Sequence, residues 1–314
     1  MGVNVLLSYA FHDKTDLAKV RKSLVCGRMM IDSGAFTAYT TGKTIHLKDY
    51  AEYLETWRGQ WDHAVTLDVI GDPAGSKRQT TKLHAMGLPV MPVFTRGESI
   101  KEFDAMVKDV GYVCVGGMVG LPPAIVEKRT ALLQRRAEQN GGGIHALGVG
   151  AIPTLRRAKP YSADASNVSG AFRFGTILCF DGERVINMPV SDKAKLRKHA
   201  DHLAAHDIDV AKLATTGRMP SGSTGRPELM RGMSLSYAAA DEWLKPRTKA
   251  PVPHGTTDVP GTHLYSSIVA GFLLDPATAL DKELHEGYNP RIWARHGRNH
   301  QCHPQHRRSI PAAA

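Results

Sequence analysis

Short apolar runs alternate with amphipathic helical patterns through residue 180, and this alternation restricts the possible folds more than any other feature of the chain. Strands are expected at 3–8, 28–32, 63–69, 89–94, 112–117, 144–150 and 161–166, with a further run, TILCF, at 176–180. Between them, Leu47, Tyr50, Ala51, Leu54 and Trp57 fall on one face of a helix over 47–57. Ile100, Phe103, Met106, Val107 and Val110 do the same over 98–110. Residues 73–86 and 122–139 complete the helical set, the latter entered through Pro122 and Pro123, where a missing N–H costs nothing. Strand–helix–strand repetition requires a parallel sheet, open or closed on itself.

The strand ends favour the closed form. They read Asp32, Asp68, Phe94-Thr95, Gly116-Gly117, Gly148-Val149-Gly150 and Asp164. Polar and glycine residues at strand C-termini are the pattern of a barrel rim that carries a site. No G-x-G-x-x-G opens a helix after the first strand, which argues against a dinucleotide-binding sheet. The expected fold is α/β, a TIM-type (β/α)8 barrel over residues 1–244. Residues 183–245 read as mainly helical with a Gly/Ser/Pro-rich break at 217–228. A linker is expected at 245–262, then a small segment, 263–314, ending in a basic tail.

The 314 residues carry a formal net charge of +10 with a pI near 9.5. Part of this charge is concentrated in RIWARHGRNHQCHPQHRR, 291–308, and it fits either a nucleic-acid partner or a soluble enzyme with a basic tail. Hydrophobic content of 42% and charged content of 22% are those of a soluble globular protein. No apolar run has the length of a membrane span, and the N-terminus reads as a strand, which gives a cytoplasmic expectation. Cys26, Cys114, Cys179 and Cys302 are widely separated, so reduced core thiols are expected in place of a disulfide framework.

Asp32, Asp68 and Asp164 each sit where a carboxylate is partly desolvated and faces a pocket. Any one of them fits an Asx turn or a helix N-cap equally well. Three on one predicted rim point to chemistry: nucleophile, general acid/base, or acceptor for a ligand. VGGMVG (115–120) and LGVG (147–150) put backbone amides where a ligand can approach them, though tight barrel turns need the same glycines.

These motifs carry a resemblance. DSGAF (32–36) resembles the D-S-G-G-F motif of the queuine-type tRNA-guanine transglycosylases, VGGMVG their G-G-L-A-V-G loop, and HALGVG (145–150) their L-M-G-V-G strand. The order is the family's, with Asp68 between the first two and Asp164 after the last, over residues 28–167. The region 162–182 is closer to the DNA-modifying branch, the DpdA-like 7-deazaguanine transglycosylases of phages and bacteria. The resemblance implies that Asp164 is the nucleophile and Asp32 the general acid/base. It implies that Asp68 accepts from guanine N1–H and its amine, and that the Gly117 amide donates to the carbonyl oxygen. Phe36 would stack on the base and Leu147 cover its other face, with Ser33, Gly116 and Gly148 completing the base pocket. No metal or redox cofactor is implied. The implied partners are DNA, with tRNA as the alternative, a free 7-deazaguanine base, and a protein that opens the duplex.

Two features depart from the tRNA enzymes. Their three-cysteine, one-histidine zinc site has no counterpart; His300, Cys302, His303 and His306 are too tightly spaced for a tetrahedral site. Their base-contacting glutamine after the fourth strand is replaced by Phe94 and Thr95. The second leaves the incoming base open, and these absences, with that of the usual tRNA-binding insertions, favour DNA over tRNA. Lys43, Arg96, Arg173 and Arg184 are candidate phosphate contacts. The competing readings are a non-catalytic nucleic-acid-binding barrel and a metal-dependent hydrolase, which needs His ligands at strand ends where only His145, at the start of its strand, is nearby.

Overall fold

The computed structural model describes residues 2–23, 26–165, 175–211, 226–254, 256 and 259–267. Its main sheet is parallel and nine-stranded: β1 (Val3–Ser8), β2 (Cys26–Asp32), β3 (His63–Val65), β4 (Val90–Met91), β5 (Val93–Phe94), β6 (Tyr112–Val115), β7 (Gly143–Ala146), β8 (Ser162–Ala165) and β11 (His263–Ser267). The order is β4-β3-β2-β1-β11-β8-β7-β6-β5. The two strands at the ends of that order are consecutive pieces of one extended segment, separated only by Pro92. Val90–Met91 pairs with β3, and Val93–Phe94 pairs with β6. Proline cannot donate to the ladder, but its carbonyl still accepts, here from the Cys114 N–H at 2.9 Å. The result is a nearly closed, barrel-like sheet flanked by helices, compatible with a TIM-type barrel.

Helices follow the strands: α1 (Tyr9–His12), α2 (Leu17–Ser23), α3 (Ala35–Thr41), α4 (Leu47–Thr56), α5 (Pro73–Ala85), α6 (Ile100–Val110), α7 (Pro123–Gln139) and α8 (Ile152–Ala158), of which α4 to α7 are those the sequence pattern expects. Local chemistry fixes their starts. Asp72 accepts from the Gly75 N–H ahead of α5, and Ser99 with Glu102 forms a reciprocal capping box on α6.

The period-two alternation of the strands divides the core. Leu6, Met30, Met91, Val93, Tyr112 and Cys114 form the interior cluster. Their neighbours Val5, Leu7, Met29 and Ile31 pack outward among the helices on one side, and Val113 and Val115 on the other. Buried Gln134 on α7 adds a polar tie, its Oε1 accepting from the N–H groups of Ile144 and Tyr161. The same alternation places Asp32 two residues beyond Met30, and Gly116 two beyond Cys114, on the interior side at the strands' C-terminal ends.

The C-terminal half differs from the expectation in three ways. The run 176–180 is a strand, β9 (Thr176–Phe180), but it lies outside the barrel, paired antiparallel with β10 (Val185–Pro189). The Asp181 carboxylate turns that hairpin by accepting from the N–H groups of Glu183 and Arg184. Residues 183–245 therefore begin with a strand, followed by α9 (Lys193–Lys198), α10 (Ala200–Ala204) and α11 (Arg226–Thr248). Finally, the expected linker at 245–262 does not detach the segment after it. Four residues of that stretch belong to α11, and β11 lies in the barrel sheet between β1 and β8, parallel to both. The break at 217–228 falls largely outside the described residues.

Candidate active site at the C-terminal rim

β2 ends in Asp32, and the chain then turns through Ser33 and Gly34 into α3. Gly34 has φ of +75°, and a Cβ there would lie 2.4 Å from the Ala10 Cβ, so only glycine fits. Its N–H donates to Asp32 Oδ2 at 2.9 Å. The motif is thus partly a turn device, as the Asx-turn alternative requires, and Ser33 is buried as part of it, its Oγ accepting from the Ala35 N–H. The turn also presents an aromatic surface. Phe36 is 47% exposed and Tyr39 66%, three residues apart on α3.

Asp68 lies three residues past β3. The Ser76 hydroxyl on the first turns of α5 donates to Asp68 Oδ1 and accepts from the Val69 N–H at 2.9 Å. Asp68 is thereby oriented by its neighbouring helix.

Asp164 lies within β8, 6% exposed. Its Oδ1 accepts from the Gly148 N–H at 2.6 Å across the β7–β8 pair. In this structure the Gly148 amide is therefore engaged by the Asp164 carboxylate. Gly148 has φ of +71° with open space beyond its Cα, so the turn is shaped to aim the amide. Leu147 packs over the interior apolar cluster beside Gly116, at 3.9 Å from where a Gly116 Cβ would be.

Gly117 is also partly engaged. It has φ of +69°, and the Arg96 side chain lies against it, with Arg96 Cγ 3.2 Å from a Cβ placed there. Beside Arg96 is Arg129, whose guanidinium donates to the Thr95 carbonyl and lies 5.5 Å from the Phe94 ring centre. Burial, and then the charge of Arg96, lower the Arg129 pKa. Glu98, which accepts from the Thr95 N–H and hydroxyl, answers part of this charge, leaving two cations to one carboxylate beside the two glycines. Of the other candidate phosphate contacts, Lys43 is exposed just past α3, and Arg184 sits on the β9–β10 turn beside Asp181. Arg173, His300, Cys302, His303 and His306 lie outside the described residues.

The three carboxylates share one electrostatic field. Burial pushes Asp32 up to about 6, the Gly34 amide opposes that rise, and the charges of Asp164 and Asp68 add to it. Burial also raises Asp68, against hydrogen bonds from Ser76 and Val69. Beneath them the Cys114 thiol is pushed well above its ordinary range by burial and then by Asp32, Asp164 and Asp68 together. Among the described residues no three His, Cys, Asp or Glu side chains converge in an arrangement that would hold a metal ion. Asp32 is near enough to Asp164 and Asp68 to feel both charges. Cys26, Cys114 and Cys179 are free thiols.

One residue that sequence reasoning did not place in the site belongs to it. His145 on β7 is fully buried, and its Nε2 lies 3.4 Å from Asp164 Oδ1. It precedes Leu147 by two positions, so strand alternation turns both inward; the signal was a histidine in the middle of an apolar strand.

Compared with known proteins, the chain matches no family model and no curated protein. No helix among the described residues is long and apolar enough to cross a membrane.

Proposed function

We propose that the chain is a base-exchange transglycosylase that replaces guanine in DNA with a 7-deazaguanine base. In this reading β4 and β5 count as one strand, the sheet is an eight-membered TIM-type barrel, and the C-terminal rim is the active face. The observation that carries the reading is that Asp32, at the end of β2, is pushed up to about 6 by burial and by the nearby charges of Asp164 and Asp68. Displacement at a glycosidic carbon passes through a cation-like state, which paired carboxylates serve when one is ionised and the other exchanges a proton.

The Asp164 carboxylate attacks the anomeric carbon while the bond from that carbon to guanine N9 breaks, its electron pair leaving with the base. Asp32, in its protonated form, supplies the proton that neutralises the departing guanine. At pH 7 a group titrating near 6 is protonated in roughly one molecule in ten. The sugar remains as an ester on Asp164. An incoming deazaguanine then attacks the same carbon and gives its proton to the Asp32 carboxylate, and the ester electron pair returns to Asp164. Asp68 recognises the base. A guanine edge presents adjacent N–H donors, and an ionised carboxylate is the acceptor-only partner for them. Phe36, half-exposed at the mouth, supplies a stacking face for a base withdrawn from its strand. Arg96 and Arg129 place positive charge where the strand's phosphates would pass.

The test is an exchange assay with radiolabelled guanine on duplex DNA, single-stranded DNA and bulk tRNA in parallel. Label entering DNA alone supports the reading. Label entering tRNA alone moves the same chemistry to RNA, and label in none of the three contradicts it.

A further inference from the structure

Below Asp164 the barrel interior holds a chain of buried polar groups that the exchange steps above leave without a role. The Tyr112 hydroxyl is hydrogen-bonded to Ser162 Oγ, and Ser162 Oγ lies 2.5 Å from His145 Nδ1. His145 Nε2 faces Asp164 Oδ1 at 3.4 Å, off the line of a good hydrogen bond, and has no other partner among the described residues. Ser162 and His145 are both fully buried. Ser162 and Asp164 alternate on β8, so the chain climbs one layer of the barrel through His145. The Tyr265 ring packs edge-on against the imidazole, 5.8 Å between centres, and holds it in place.

The chemistry of the contacts fixes which nitrogen carries the proton. A bare Nε2 lone pair aimed at a carboxylate oxygen would be repelled, so Nε2 is the N–H. Nδ1 then accepts from the Ser162 hydroxyl, which in turn accepts from Tyr112. An unpaired buried N–H is costly and finds its gain by tightening onto Asp164 whenever that carboxylate carries full charge.

We propose that His145 is a positioning residue for Asp164, with Ser162 and Tyr112 fixing its tautomer, and that it acts mainly on the second half of the exchange. This rests on the transglycosylase reading for its kinetic part. While the sugar is esterified to Asp164, the carboxyl group is neutral and the Nε2–H contact is weak. As the incoming base displaces the ester, the C–O bond electrons return to Asp164 and the contact strengthens. A donor that favours the free carboxylate over the ester makes Asp164 a better leaving group. Its loss slows breakdown of the covalent intermediate and does not slow its formation.

The experiment compares wild type, His145→Gln, His145→Asn and Ser162→Ala, with thermal melting to confirm that each folds. Gln places an amide N–H where Nε2 was; Asn reaches only the Nδ1 position. The covalent adduct with guanine-containing single-stranded DNA is followed by rapid denaturing quench. Breakdown is expected to slow about 10- to 100-fold in His145→Asn, with adduct accumulating, and to be largely restored in His145→Gln. Breakdown at the wild-type rate in His145→Asn overturns the proposal. ¹⁵N NMR of labelled histidine supplies a readout that needs no activity. A protonated Nε2 in wild type, with the preference lost in Ser162→Ala, supports the relay. An unprotonated Nε2 refutes it, even if wild type forms no adduct and the transglycosylase reading falls. If His145→Asn fails to fold, the NMR result and Ser162→Ala decide.

Discussion

Two kinds of buried carboxylate occur in this molecule, and they are treated in opposite ways. Asp241 on α11 is 1% exposed, accepts from the Leu264 N–H at 2.7 Å and lies 2.7 Å from the Lys245 ammonium. It fastens the helix to β11, and a cation and an amide oppose the rise in pKa that burial still imposes on it. Asp32 accepts one amide from its own turn, and the charges that act on it most are two further carboxylates. Among the described residues neither Asp32 nor Asp68 has a lysine or arginine partner. Where the fold needs a carboxylate for structure it surrounds that group with donors and a cation. At the rim it sets carboxylates where the charges of Asp164 and Asp68 act against Asp32, an arrangement that costs stability.

The contrast can be broken most forcefully at Asp241. Asp241→Ala strands the Leu264 N–H and the half-buried Lys245, and is expected to cost about 3–5 kcal/mol in urea unfolding. Hydrogen exchange should quicken first at β11. A loss under about 1 kcal/mol would mean that Asp241 is no more structural than the rim carboxylates. Next in size is Gly34→Ala, which needs both a left-handed backbone and space already filled by Ala10. About 2–3 kcal/mol should be lost, read in the same melts.

Asp32→Asn sharpens the comparison because its sign is reversed. The folded pKa of Asp32 is raised, so the folded state binds its proton more tightly than the unfolded chain does. Stability from this group is full below about pH 4 and falls as pH rises through about 6. Asparagine removes that penalty. Allowing for partial water access, Asp32→Asn should gain about 1–2 kcal/mol at pH 7, gain nothing at about pH 4, and lose exchange. Equal stability of the two proteins across that pH range would show that Asp32 is not under strain. The smallest effect is expected for Arg96→Ala: DNA binding weakened modestly, with the slope of log K against log salt reduced by about one. An unchanged slope would remove Arg96 from the phosphate path.

Most of the barrel was legible because its signals are local. Helical stripes such as Leu47–Trp57 and apolar runs such as Tyr112–Val115 declare themselves within a dozen residues. β11 was not, because HLYSS follows a Pro- and Gly-rich stretch and more than half its residues are polar; only its place between β1 and β8 makes it a strand. β9 was seen as a strand but not as an outlier, since sheet membership depends on pairing and not on composition. At the rim, Asp32, Asp68 and Asp164 stood out together, because one such carboxylate is explained by a turn or a cap but three at strand ends of one sheet are not. The direction of the Gly148 amide and the approach of His145 to Asp164 did not. Each depends on a contact between strands, and a buried histidine within an apolar run has the same sequence appearance whether or not it touches a carboxylate.

The central claim is that Asp164 becomes covalently bonded to a sugar, and peptide-mapped mass spectrometry of an acid-quenched reaction with guanine-containing single-stranded DNA tests it most directly. The account predicts an adduct on the peptide that contains Asp164, absent from Asp164→Ala and released when free base is added. An adduct on another residue, or base exchange that persists in Asp164→Ala, would contradict it.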